Sequence, residues 1–369
     1  VSRKNNESIG PVSPEIAQVI SDGQRLIAYI ARNGGAELSA DVTQIIVDAK
    51  YKLLRDEWSA EVETVFLLNY DKLAKIVYPV TIESVNAVIP VLTGKSSKPT
   101  KAAYAVSWYR RYTLLALLLL LTTQIYYLFG KELSSNLHSI FEQREKIQIQ
   151  LDKEVIPKEE GAPLSIQLAR LNQQLDANYK LLMHWNKLWS FGGTFSGSMP
   201  TYFQTKYEMQ KKAIYRDRVV NQSQLDNLEL NRSLHQARMV FFENVLSANS
   251  VLKVLQGYIL PLMYGLLGAF IFVLRSLLKE IKSITYTFSS EIRYRLRLTL
   301  GALGGMIIGW FLKPEEATAL ASLSPMALAF LMGYNVDVLF SLMDKIIDSL
   351  KQAIDKPGES KSAQGQAKA

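Results

Sequence analysis

Apolar and polar positions alternate along this chain in long blocks rather than in short periods, and four blocks are almost wholly apolar. The first, residues 112–130, reads YTLLALLLLLTTQIYYLFG, carries no charge and is bounded by Arg110, Arg111 and Lys131. As a helix it rises about 28 Å, close to the thickness of a bilayer core, with aromatic residues at both ends. A long segment precedes it, so it reads as a membrane span rather than a secretory leader. Residues 254–274 form a second block between Lys253 and Arg275. The third, residues 298–312, is short and needs Arg297 and Lys313 to snorkel at its ends. The fourth, residues 323–343, starts near Pro325 and closes at Asp344 and Lys345. The pattern predicts an all-α polytopic membrane protein with four transmembrane helices, the last two forming a hairpin.

Between these blocks the spacing is helical. Residues 1–94 predict a small helical domain. Ser13, Pro14 and Glu15 open one helix, with a cap, a proline in the first turn and an acid at the positive end. Gly34 and Gly35 end it; Ser39 and Ser59 open two more, and a shorter fourth begins at Thr81. Residues 131–253 predict an extended helical hairpin, broken between Pro157 and Pro163 and turned by the glycine-rich stretch 192–200. A polar tail, 344–369, follows the last block.

Charge orients this plan. The hinge 95–111 carries Lys95, Lys98, Lys101, Arg110 and Arg111 with no acid, and the loop 275–297 carries six basic residues against Glu280 and Glu291. Basic flanks favour the cytoplasmic side, which places both termini and the 1–94 domain inside and the 131–253 domain outside.

Composition narrows the chemistry. The 369 residues carry 42 Lys+Arg against 34 Asp+Glu, a net charge of +8, with 48% apolar residues and a mean hydropathy of +0.04. Cysteine is absent, which removes disulfides, thiolate metal sites and cysteine nucleophiles. The three histidines, His138, His184 and His235, have no partner at metal-ligating spacing. Thr93–Gly94–Lys95–Ser96 resembles part of a phosphate loop, but the earlier glycine is replaced by Ile89 and no strand precedes it. No catalytic constellation, metal site or cofactor is expected, and the chain does not read as an enzyme.

Three features carry functional expectations. Gly301, Gly305 and Gly309 form a bare ridge in the third block, suited to close helix packing. In the fourth, Asp337 near Asn335 is an ionisable group in an apolar run, and Ala329, Gly333 and Asp337 fall on one helix face. In an oligomer that face would line an ion path with carboxylates; the competing reading is a buried pair with an arginine or a hydrated interface position. Arg293, Arg295 and Arg297, interleaved with Tyr294 and Leu296, and Arg110 and Arg111 are expected to contact anionic lipid or, alternatively, a cytoplasmic nucleotide or nucleic-acid ligand.

Residues 324–344, SPMALAFLMGYNVDVLFSLMD, resemble the last membrane helix of a group of uncharacterised bacterial inner-membrane proteins. The wider plan is similar to membrane effectors of bacterial anti-phage systems, which pair a signal-sensing part with an oligomeric membrane part. The resemblance implies an inner-membrane location, homo-oligomerisation in the lipid bilayer and a gated channel or pore that depolarises the cell. The alternative is a non-enzymatic scaffold or sensor that binds partners through its water-facing helical domains.

Overall fold

A computed structural model of the chain describes residues 13–34, 37–90, 99–152, 158–190, 200–216, 222–311 and 324–354. Among these residues every regular element is a helix. The chain divides into two compact units, one comprising Val1–Leu115, Leu266–Gly301 and Met332–Ala369, the other Ala116–Gly265 and Ala302–Leu331.

The first unit begins with four helices whose ends follow from their caps. In α1 (Pro14–Asn33) the Ser13 hydroxyl accepts from the Glu15 N–H, and Gly34, in the left-handed region at φ 62°, donates its N–H to the Ile30 carbonyl. α2 (Ala40–Leu54) and α3 (Ala60–Val77) follow, and α4 (Ile82–Val88) is opened by a reciprocal Thr81–Ser84 capping box. Ile20, Leu26, Ile46, Phe66 and Leu73 are buried in their shared core, with the Trp58 indole edge-on to Phe66. α1 and α2 approach closely at Gly23, where an added Cβ would stand 3.0 Å from the Ile46 side chain.

The turn between two helices of the C-terminal half touches this core. α9 (Leu260–Lys282) and α10 (Phe288–Phe311) are separated by a short turn, so the stretch expected as a 275–297 loop is largely helical. Ile284 in that turn packs on the core just described, and the Glu83 carboxylate accepts from the Phe288 N–H at 2.8 Å, placing a negative charge at the start of α10. Tyr286, Tyr294 and Tyr109 are buried beside it, and Tyr109 and Tyr294 meet edge-on. Burial, then the Glu291 carboxylate, push the Tyr286 phenol up to about 12.

One long helix runs from the first unit into the second. α5 (Lys101–Asp152) has 52 residues and runs unbroken from the basic hinge through the first apolar block into the polar segment beyond. Leu120, Tyr127, Leu133 and Leu137 form its buried stripe, while Leu114, Leu115, Leu118, Leu121, Ile125 and Leu128 remain exposed, as a lipid-facing surface requires. α6 (Lys158–Asn186) and α7 (Thr201–Arg216) pack on α8 (Gln222–Val254). Pro163 lies inside α6, so no break separates Pro163 from the helix that follows it. The packing includes polar pairs, which is why no clean heptad is visible in the sequence. Ser134 meets Asn249 at 2.6 Å, Tyr127 donates to Gln256, and the Asn186 amide donates to the Asn244 carbonyl. The Trp185 indole stacks on Tyr126 at 4.7 Å and donates to its carbonyl. Gly130 makes room for it, since a Cβ there would lie 2.4 Å from the indole ring.

A π turn, Leu255–Ile259, joins α8 to α9. Its cause is Pro261, which lacks an N–H and would press its ring on the Gly257 carbonyl in an unbroken α-helix. The four-span expectation is met in part. Among the described residues Lys101–Leu151 and Gln222–Lys282 are long and apolar enough to cross a membrane, and a third span is reached only if the pair Pro325–Tyr334 and Val336–Lys345, bent by 111°, counts as one. Among the described residues α10, whose first turns carry Arg293, Arg295 and Arg297, is not a further candidate. The phosphate-loop-like stretch 93–96, the acidic turn at Glu315 and Glu316, and the tail from 355 lie outside the described residues.

Candidate functional site at the broken fourth segment

The fourth apolar block is two helices. α11 (Pro325–Tyr334) ends after ten residues, Asn335 is non-helical, and α12 (Val336–Ile354) leaves in a new direction. The sequence carries the signal for this break in Asn335 followed by Asp337. Asparagine is a favoured N-cap and an acid in the first turn meets the positive end of the helix. The Asn335 carbonyl accepts from the Val338 N–H at 3.2 Å, as a helix start requires. The apolar residues on both sides hide this signal from a hydropathy reading.

The break corrects one expectation. Ala329 and Gly333 are buried on α11, but the helix ends one residue after Gly333, so Asp337 does not continue their face. Asp337 instead sits in the first turn of α12 with its side chain 86% exposed, and Asn335 is exposed beside it.

Arg297 of α10 holds the break from the inside. It is only 14% exposed, its guanidinium lies 3.9 Å over the Phe272 ring, and it donates to the Tyr334 carbonyl at 2.9 Å. That carbonyl is one of those left without an intrahelical donor when α11 ends. The Arg297 guanidinium is also 3.9 Å from the Asp337 carboxylate, a long contact to an exposed acid that contributes little beside the stacked, hydrogen-bonded geometry. Arg275 donates to the Tyr334 phenol, whose ring meets Phe272 edge-on. Two arginines therefore fix Tyr334, one at its backbone and one at its side chain.

The remaining arginines divide. Arg293 donates to Glu280 at 2.8 Å and to Ser290, and Arg295 pairs with Glu291. Arg110 and Arg111 are exposed on α5. The contacts of the loop arginines are thus with acids on α9 and α10, a pairing the one-sided count of basic residues did not anticipate.

The glycine ridge has its neighbour in the same chain. A Cβ at Gly305 would stand 2.3 Å from the Pro261 carbonyl oxygen and 2.9 Å from the Gly265 Cα. One at Gly309 would stand 2.6 Å from the Gly257 carbonyl oxygen, the acceptor that Pro261 cannot serve. The seam is thus made by backbone of α9 and the π turn before it, the Gly265 Cα and the Pro261 and Gly257 carbonyls, lying against the bare ridge of α10, and Gly301 is buried at the start of that ridge.

His138 has a neighbour after all, Glu142 at 3.2 Å one turn along, but among the described residues no group of three or more His, Asp or Glu could hold a metal ion. No family model, curated protein or solved structure matches the chain.

Proposed function

We propose that the protein is an oligomeric, gated channel or pore of a cell membrane, with its gate at the α11–α12 break. The observation that carries this reading is the break itself. Non-helical backbone within an apolar segment is tolerated where it is packed in protein or lines water, and broken helices with polar residues at the break are a recurring device of ion-conducting proteins. The exposed Asn335 and Asp337 supply the polar groups. The packed, arginine-fixed Tyr334 supplies a fixed side against which α12 can move. In a ring of subunits the Asp337 carboxylates would give a negative potential that favours cations. The resemblance to membrane effectors of anti-phage systems belongs to the same proposal, with the bacterial inner membrane as the location and both termini in the cytoplasm.

A second reading, a scaffold or sensor, is favoured by the helices Lys101–Leu151 and Gln222–Lys282, which run without interruption from apolar into polar segments. Oligomeric state separates the two. Electron microscopy of the detergent-solubilised protein should give a symmetric ring with an axial path; a monomer overturns the channel and leaves the scaffold.

A further inference from the structure

We propose that the groove at the start of α5 binds the headgroup of a zwitterionic aminophospholipid. It is a cavity of about 660 Å³ lined by Lys101, Tyr104, Trp108, Tyr109, Glu291 and Arg295. That volume is within the range of small-ligand sites.

Its position points to lipid. Trp108 lies four residues before the apolar block that starts at Tyr112, and Arg295 lies three residues before the one that starts at Leu298. At 1.5 Å per residue the two positions lie about 4.5–6 Å beyond the apolar blocks, the depth of the headgroup layer when α5 crosses a bilayer there. Tryptophan and tyrosine prefer this layer, and Trp108 packs on both Tyr109 and Tyr112.

Its charges point to a zwitterion. Lys101 opens α5, where the first-turn N–H groups add to its positive charge, and Thr100 caps the turn by accepting from the Ala103 N–H. Lys101 and Arg295 suit a phosphate. Glu291 pairs with Arg295 one turn away on α10, so an acid and a base stand side by side at the same wall. A headgroup carrying only phosphate meets repulsion from Glu291. One that also carries a primary ammonium satisfies it, with charge-assisted hydrogen bonds that a trimethylammonium cannot make.

This inference rests on α5 crossing the membrane, and the test separates the two. The full-length protein is reconstituted into vesicles of equal parts phosphatidylethanolamine, phosphatidylcholine and phosphatidylglycerol, washed with alkaline carbonate, extracted in mild detergent and examined by native mass spectrometry. Retained phosphatidylethanolamine should exceed each of the others about tenfold, the scale of one charge-assisted hydrogen bond. Glu291→Gln should remove the preference over phosphatidylglycerol, and Lys101→Ala should lower retention of all three lipids, both with an unchanged melting curve. Equal retention of the three lipids by a protein that withstands the wash overturns the headgroup site alone. Release of the protein by the wash overturns the spanning helix and the site with it.

Discussion

Replacing Gly305 by alanine tests the seam between α9 and α10 most sharply, because the structure fixes both the clash and its control. The new methyl would sit 2.3 Å from the Pro261 carbonyl oxygen and 2.9 Å from the Gly265 Cα, both backbone atoms with no rotamer to change. Ordinary contact begins at 3.4 Å, so the helices must separate by about 1 Å. That separation also loosens the contact at Gly309, whose Cβ position is 2.6 Å from the Gly257 oxygen. Overpacking of this kind costs about 1–3 kcal/mol, while alanine in a helix gains up to about 1 kcal/mol over glycine. The net expectation is a loss of about 1–2 kcal/mol, seen as a melting temperature lower by several degrees in detergent. Gly305→Leu should be worse. Gly257→Ala is the control, since nothing lies within 4 Å of the added Cβ, and it should melt within about a degree of the parent or above it. A Gly305→Ala protein as stable as the parent would refute the close approach.

Three further outcomes follow from the geometry. Gly130→Ala should displace the Trp185 indole, which the new Cβ would meet at 2.4 Å, and should shift tryptophan emission to the red with a loss of about 1–3 kcal/mol; unchanged emission and melting would contradict that packing. Burial raises the Asp22 carboxyl above its ordinary 3.8, outweighing Arg25 and Asn86, so the folded state binds this proton more tightly than the unfolded one. The resulting stability is present below 3.8 and is lost as pH rises through the folded value, so Asp22→Asn should melt higher than the parent at pH 7 and no higher at pH 3, and a lower melting temperature at pH 7 would reverse the sign. Arg297→Lys should loosen the α11–α12 break, because an ammonium cannot both stack flat on Phe272 and reach the Tyr334 carbonyl. Spin labels at the exposed Leu331 and Ile347 should report a broader distance distribution, and an unchanged one would remove Arg297 as the clamp.

The N-terminal helices were legible because their ends are written in capping chemistry: Ser13–Pro14–Glu15, Ser59 and Thr81 stand where helices start, and Gly34 where one stops. The glycine ridge was legible as a packing surface, but its neighbour was not, since Pro261 and the π turn that exposes the Gly257 carbonyl act through tertiary fit. Hydropathy misread the fourth block because it weighs residues without their order. Asn335 and Asp337 disappear into an apolar average, yet together they start a helix. The pairing of Arg293 and Arg295 is not visible in a charge count, which enters Glu280 and Glu291 as a minority rather than as neighbours.

The channel itself is tested most directly by current. The protein is fused into planar bilayers under a KCl gradient, with insertion verified by labelling, and the parent is compared with Asp337→Asn and Asp337→Lys. Asp337 is exposed and makes only a long contact with Arg297, so neither change should unfold the chain. The account predicts unitary currents from the parent with a cation-selective reversal potential, moved toward zero by Asp337→Asn and toward the chloride potential by Asp337→Lys. Silent bilayers from verified, inserted protein would contradict the channel, and identical reversal potentials in all three would remove Asp337 and the α11–α12 break from its conducting path.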